Sequence, residues 1–158
     1  MAKQTARKMN LRLDGAYETL AKFRSLPKDA SKELRERSLK LATVLADRIK
    51  AAAESDESPQ AKLWAPTVRP VRDRTPSIRI GGSRKVGRRK VPVWGILFGS
   101  EFGSNRYAQF GKPHHGQEPL GPAFGVAHRN SDDIAREWHA AADEVIAKFT
   151  SDDVGGEG

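Results

Sequence analysis

The stretch PVWGILFGSEFGSNRYAQFGKPHHGQEPLGPAFG, residues 92–125, decides how the rest of the chain is arranged. Its first part, 93–98, is a short apolar run with β-branched and aromatic residues, which predicts a buried strand. The glycines and prolines that follow argue against a long helix and require sharp turns. Aromatic residues lie between those glycines, so we expect a loop that packs against the protein. They are Phe102, Tyr107, Phe110 and Phe124.

Helical patterns flank this stretch on both sides. Apolar residues from Leu13 to Phe23 recur at three- and four-residue steps, which predicts a short helix. A second apolar face runs from Pro27 to Ala53, which predicts a spine helix of about 26 residues and about 39 Å. A last amphipathic helix is expected to begin at Asn130 or Ser131, which are good N-terminal caps.

The segment between the spine helix and the organising stretch has β character. Residues 61–76 are proline-rich and predict an extended edge or a loop. Alternation in 77–80 predicts a strand, and 91–98 is its expected antiparallel partner. The tip between them, 83–90, is expected to be a mobile basic arm. We therefore predict an α+β fold in which a small antiparallel sheet packs against the spine helix and the last helix.

The length of 158 residues indicates one domain with a core of its own. We expect a flexible N-terminal arm at 1–10, a single α+β domain at 11–150 and a disordered acidic tail at 151–158. The chain has no cysteine, which excludes disulfides and thiol chemistry. Neither a membrane span nor a signal peptide is evident, so we expect a soluble product made in a cytoplasm, without membrane partners.

The net charge of +8 is unevenly distributed along the sequence. Residues 69–90 hold nine basic side chains and one acidic side chain, a net charge of +8. Residues 1–68 carry a net +5 and residues 91–158 a net −5, so these two parts cancel. Such segregation concerns the choice of partners rather than the fold.

No pattern typical of catalysis, cofactor binding or metal binding is present, so we predict no enzyme and no cofactor. The glycine-rich part matches neither dinucleotide nor phosphate-loop patterns, and Ser100 does not lie in a nucleophile elbow. Glu101 is expected to neutralise an arginine or to cap a turn. The remaining candidate metal ligands lack zinc-site spacing; they are His114, His115, Glu118, His128 and His139.

Five positive charges within seven residues make the arm the strongest chemical signal. They suffice to hold phosphates without reading base sequence. The same charges also suit an acidic surface on a neighbouring subunit, and charge alone does not choose between these partners. The residues are Arg84, Lys85, Arg88, Arg89 and Lys90.

The order of elements resembles the tail-completion or head–tail joining family of siphophages. The residues that carry the resemblance are the run from Phe98 to Gly103, then Gln109 and Phe110, and Pro122 to Phe124 before the last helix. The stretch TPSIRIGG, residues 75–82, looks like the versions from phages of actinobacteria. The resemblance covers about residues 11–150.

This resemblance implies a structural virion protein, a tail-terminator-like subunit of a homo-oligomeric ring in the neck. Its partners would be the connector or stopper and the major tail protein, with non-specific contact to genomic DNA possible at the arm. Assembly would take place in the bacterial cytoplasm. We expect subunit contacts at Glu101, Phe102, Tyr107 and Phe110. The alternative is a free nucleic-acid-binding protein that uses the 84–90 arm.

Overall fold

The computed structural model describes residues 7–10, 13–56, 59–81, 85–86, 88, 90–93, 96–97, 101 and 121–155. Its helices and strands form the α+β fold that the sequence predicts. Short 3-10 turns follow α1 and α3. The elements are β1 (Arg7–Asn10), α1 (Ala16–Lys22), α2 (Lys28–Glu54), α3 (Pro59–Trp64), β2 (Arg69–Val71), β3 (Ser77–Ile80), β4 (Lys85–Val86), β5 (Val91–Pro92) and α4 (Pro122–Gly155).

Two long helices, α2 and α4, run antiparallel and frame the molecule. With 27 and 34 residues they measure about 40 and 51 Å. Near one end Lys148 Nζ lies 2.9 Å from Glu33, and near the other Arg48 donates to Asn130. The hydrogen bond from Lys148 lowers the pKa of Glu33, and Arg37 acts in the same direction. The spine helix is thus confirmed, with its end one residue beyond the predicted Ala53.

Apolar side chains of the two helices form two core clusters, and the partly buried Leu41 packs against both. One cluster joins the second half of α2 to α3, β3 and the start of α4. The other joins the first half of α2 to α1 and the second half of α4. Their largest fully buried side chains are Trp64 and Trp138. The shared helices make the two clusters parts of one packed unit.

A buried polar contact ties α4 to the loop between β2 and β3. The indole Nε1 of Trp138 donates to the carbonyl oxygen of Arg74 at 2.8 Å. The hydroxyl of Ser38 donates to the same oxygen at 2.7 Å. One loop carbonyl therefore satisfies a donor from each long helix, which fixes the loop over both of them.

The sheet differs from the predicted hairpin. β3 is the central strand of a three-stranded antiparallel sheet in the order β1-β3-β2. β5 instead pairs with β4, so the predicted pairing of 91–98 with 77–80 is wrong. The reason is that β1 and β2 already occupy both hydrogen-bonding edges of β3. Residues 61–64 form the end of α3, where the sequence predicted an extended edge or a loop.

The predicted ends of the domain also need correction. Arg7–Asn10 form β1, where the sequence indicated a flexible arm at 1–10. α4 begins at Pro122 rather than at Asn130 or Ser131. Proline is tolerated at the first helical position, because its missing N–H would have no partner within the helix. α4 also continues through residues 151–155 of the predicted disordered tail. Residues 1–6 and 156–158 lie outside the described part of the chain.

The apolar run after β5 is helical where it is described, not the predicted strand. Val93, Ile96, Leu97 and Glu101 have helical conformation and are all buried. Val93, Ile96 and Leu97 belong to the first of the two core clusters. Glu101 lies at the start of α4, where it accepts a hydrogen bond from Ala123.

Candidate functional site: the Glu101 cap and the basic hairpin

Glu101 caps the N-terminus of α4 from a distant part of the chain. Its side chain is fully buried. Oε1 accepts a hydrogen bond from the backbone N–H of Ala123 at 2.6 Å, and Oε2 accepts one from Phe124 at 3.3 Å. The N–H groups of a helix's first turn have no partner within the helix, so a carboxyl group here satisfies two of them. We call these three residues the Glu101 cap.

The residue before α4 is fitted to this cap. A Cβ atom at Gly121 would lie 2.3 Å from Glu101 Oε2, 2.5 Å from its Cδ and 2.9 Å from its Cα. The carbonyl of Gly121 accepts the hydrogen bond from Gly125 N–H at 2.8 Å that opens the helix. Pro122 follows, where its missing N–H costs nothing. Gly121 is therefore required by the close approach of the Glu101 carboxyl group.

Burial raises the pKa of Glu101 to about 7, while the hydrogen bonds from Ala123 and Phe124 lower it and the charge of Asp56 raises it. The two bonds are unequal, since the one to Oε1 is 0.7 Å shorter than the one to Oε2. A proton on Oε2 therefore leaves the shorter bond intact. The cap persists in the neutral form of the carboxyl group.

The observed position of Glu101 bears on two sequence-based expectations. Its side chain is fully buried within the subunit, and the predicted subunit contact at Glu101 stays a prediction. Glu101 was also expected to cap a turn, and it is observed to cap the first turn of α4. Phe102, Tyr107 and Phe110, which were also expected at the interface, lie outside the described residues.

The basic hairpin consists of β4 and β5, paired antiparallel with Lys85 opposite Pro92 and Val86 opposite Val91. Lys85, Arg88 and Lys90 are exposed. Lys90 adopts a left-handed conformation with φ of 49°, which is uncommon for a non-glycine residue and typical of a turn. Arg84 and Arg89 lie outside the described residues, and the expected mobility of 83–90 stays a prediction. β5 leads directly into the buried Val93, so the hairpin is attached to the core cluster that also contains Ala123.

His139 lies in a structural contact between α4 and the start of α1. Its Nε2 is 2.6 Å from the carbonyl oxygen of Asp14, and its Nδ1 is 3.4 Å from Thr19 Oγ1. Because a carbonyl oxygen only accepts, Nε2 carries the proton of this bond. His128 is exposed, while His114, His115 and Glu118 fall outside the described positions.

In the part of the chain that the structure describes, no three histidine or acidic side chains are grouped as a metal site would require. Of the described helices, none is long and apolar enough to cross a membrane. No family model, no curated protein and no solved structure matches the chain. The function is therefore argued from the chemistry of the residues themselves.

Proposed function

We propose that this protein is a structural virion protein of a tailed phage, a subunit of a ring in the neck that joins the head connector to the tail. The observation that carries the proposal is the separation of exposed charge within one subunit. Lys85, Arg88 and Lys90 are exposed on the basic hairpin, and exposed acids such as Asp132 and Glu137 lie on α4. Opposite charges at separate places suit head-to-tail contact between copies, which generates a ring when the rotation from one copy to the next closes.

The residues behind the phage resemblance support a scaffolding role. Glu101, Ala123 and Phe124 belong both to the resembling segments and to the Glu101 cap. Pro122 belongs to the same segments and opens α4. Their contact is architectural, because it joins the segment that follows the hairpin to the longest helix. A rigid subunit that presents charged surfaces to its neighbours explains why these residues are in contact.

A second candidate is a free nucleic-acid-binding protein that uses the arm. The same exposed cations, Lys85, Arg88 and Lys90, favour it. The two functions predict different effects when the positive charges of the arm are removed. A free binder loses affinity for duplex DNA with no effect on particle assembly, whereas a ring subunit loses assembly.

Alanine at Arg84, Arg88 and Arg89 is expected to leave the subunit folded and to stop tail attachment. Arg88 is exposed, and all three residues belong to the basic segment 84–90 of the sequence, so we expect their loss to remove intermolecular attraction rather than core packing. The measurement is electron microscopy of particles made by a phage that carries the variant, with circular dichroism of the purified protein. Mostly tail-less heads are expected.

The matched control replaces the exposed Lys28 and Lys40 on α2 and Lys62 on α3 by alanine, which also removes three positive charges. Tailed particles are expected in normal yield with this variant. Normal tails with the arm variant, together with lost binding of the free protein to duplex DNA, would reject the ring and favour the nucleic-acid binder.

A further inference from the structure

Two large apolar side chains are exposed towards opposite ends of α2. Tyr17 of α1 is 74% exposed, and Leu63 of α3 is 40% exposed. α1 belongs to the core cluster at the first half of α2, and α3 belongs to the cluster at its second half. Because α2 is about 40 Å long, one subunit presents two separate apolar anchors.

Tyr17 is presented by a helix that is held in place. His139 Nε2 lies 2.6 Å from the carbonyl oxygen of Asp14, and its Nδ1 lies 3.4 Å from Thr19 Oγ1. These contacts fix α1 on both sides of Tyr17. An anchor on a fixed element loses less freedom when it binds, and tyrosine is enriched among the residues that contribute most to interfaces.

Leu63 also projects from a fixed element. Ala61 and Trp64, on either side of it in α3, are fully buried. The hydroxyl of Thr67 donates to the carbonyl oxygen of Trp64 at 2.6 Å and so fixes the turn after α3. The exposed Pro66 follows Leu63 in this turn. The apolar surface of Leu63 therefore continues on a second rigid side chain.

The charges beside the two anchors have opposite signs. The Tyr17 patch consists of Tyr17 with the exposed Asp14 and Glu18, and the Leu63 patch consists of Leu63 with the exposed Lys62 and Pro66. Residues 13–21 carry a net −2 without a base, and residues 59–70 carry a net +2 without an acid. None of the ion pairs among the described residues includes a charged member of either patch. These charges are available to another molecule.

We propose that the Tyr17 patch of one copy of the chain binds the Leu63 patch of the next copy. An apolar anchor beside carboxylates complements an apolar anchor beside a cation, whereas contact of either patch with its own copy brings like charges together. Charge complementarity thus favours a heterologous contact between two copies, and such contacts generate a ring when the rotation closes. The contact rests on the proposed ring function and supplies one of its binding surfaces.

The anchors and the charges have different parts in this contact. Burial of Tyr17 and Leu63 supplies the affinity, because apolar area is removed from water. The exposed charges select which patch meets which and add little affinity singly, so removal of Lys62 alone is expected to leave the contact in place.

The test is the mass of the purified full chain in solution, measured by analytical ultracentrifugation over a range of concentrations. Tyr17→Gln and Leu63→Gln are each expected to weaken self-association by at least about 30-fold, the effect of losing one strongly contributing interface residue. The matched control is Val44→Gln, which removes a side chain 46% exposed near the middle of α2 and should associate like the parent. Circular dichroism checks the fold of each variant. The highly exposed Tyr17 keeps the test usable even where Leu63→Gln fails to fold.

A mixture of the two patch variants tests the head-to-tail pairing. Tyr17→Gln keeps the Leu63 patch and Leu63→Gln keeps the Tyr17 patch, so one intact contact remains between unlike copies and none between like copies. A heterodimer is expected at concentrations where neither variant associates alone.

The proposal is overturned if the parent is monomeric at every concentration, if either patch variant associates like the parent, or if two folded patch variants stay monomeric when mixed. A ring in the neck of particles whose subunits associate normally without Tyr17 or Leu63 would reject this contact and keep the proposed function. Patch-dependent association of a chain that is absent from the neck would reject the neck function and keep the contact.

Discussion

Replacing Gly121 with alanine is expected to lower the free energy of unfolding by about 2–4 kcal/mol, from overpacking together with damage to a helix cap. The new Cβ would lie 2.3 Å from Glu101 Oε2 and 2.9 Å from Glu101 Cα. The carboxyl group can turn away only by giving up the hydrogen bonds from Ala123 and Phe124, and the backbone contact remains even then. Urea denaturation followed by far-ultraviolet circular dichroism measures the change.

A double-mutant cycle with Glu101→Ala separates the two parts of this cost. Without the carboxyl group, two of the three short contacts disappear and the contact with Cα remains. The alanine at 121 should then cost less than in the parent, with a coupling of about 1–3 kcal/mol between the two positions. A Gly121→Ala protein within about 0.5 kcal/mol of the parent would contradict the described fit, because that is the range of neutral surface changes.

The second large effect is a loss of stability as the pH rises through the pKa of Glu101, which burial raises to about 7 from an ordinary value of 4.5. Between these values the folded protein holds a proton that the unfolded chain has released. The contribution of Glu101 to the free energy of unfolding is therefore largest at and below about pH 4.5, and it is lost as the pH rises through about 7. The expected fall is about 3 kcal/mol.

Glu101→Gln is the variant that tests this pH dependence. Its amide resembles the protonated carboxyl group, with an oxygen for Ala123 N–H in place of Oε1, so the contribution of residue 101 should become flat with pH. Glu33→Gln is the control of opposite sign, because hydrogen bonding to Lys148 lowers the pKa of Glu33. In the parent, Glu33 stabilises the folded protein above pH 4.5, and this stabilisation is lost as the pH falls through the lowered pKa. The Glu33→Gln variant should lack this acid-side loss. Parallel curves for the parent and Glu101→Gln between pH 5 and 8, in urea denaturation, would refute the assignment.

The sequence alone predicts the helices and strands that are stabilised by their own residue pattern. α2 was predicted to run through Ala53, and it ends at Glu54. This prediction succeeded because an apolar stripe that continues over many turns defines a helix from its own residues. Ser77–Ile80 was predicted as a strand and is β3, since its alternation of isoleucine with polar residues fits one buried sheet face. Both predictions depend on neighbours in sequence.

Predictions failed where distant contacts decide the structure. The run VWGILF, residues 93–98, is apolar apart from Gly95, and such a run does not distinguish a strand from a buried helix. The spacing of three, four and eight residues from Val93 to Ile96, Leu97 and Glu101 was the sequence signal that favours a helix. β1 was missed because 7–10 has no apolar pattern of its own and acquires its conformation by pairing with β3.

The candidate site was predictable only in part. The positive charge of the hairpin is visible in the sequence, and Lys85, Arg88 and Lys90 are exposed as a charged arm requires. The Glu101 cap was not predictable, because its partners Ala123 and Phe124 lie 22 and 23 residues further along the chain.

The most direct test of the proposed neck function is a cryo-electron-microscopy reconstruction of the tailed-phage particles that the proposal says contain this chain. A ring-forming neck subunit predicts density for the antiparallel α2 and α4 in several symmetry-related copies between the head connector and the tail tube. Particles whose neck shows no density for these two helices, although the chain is expressed, would contradict the proposed function.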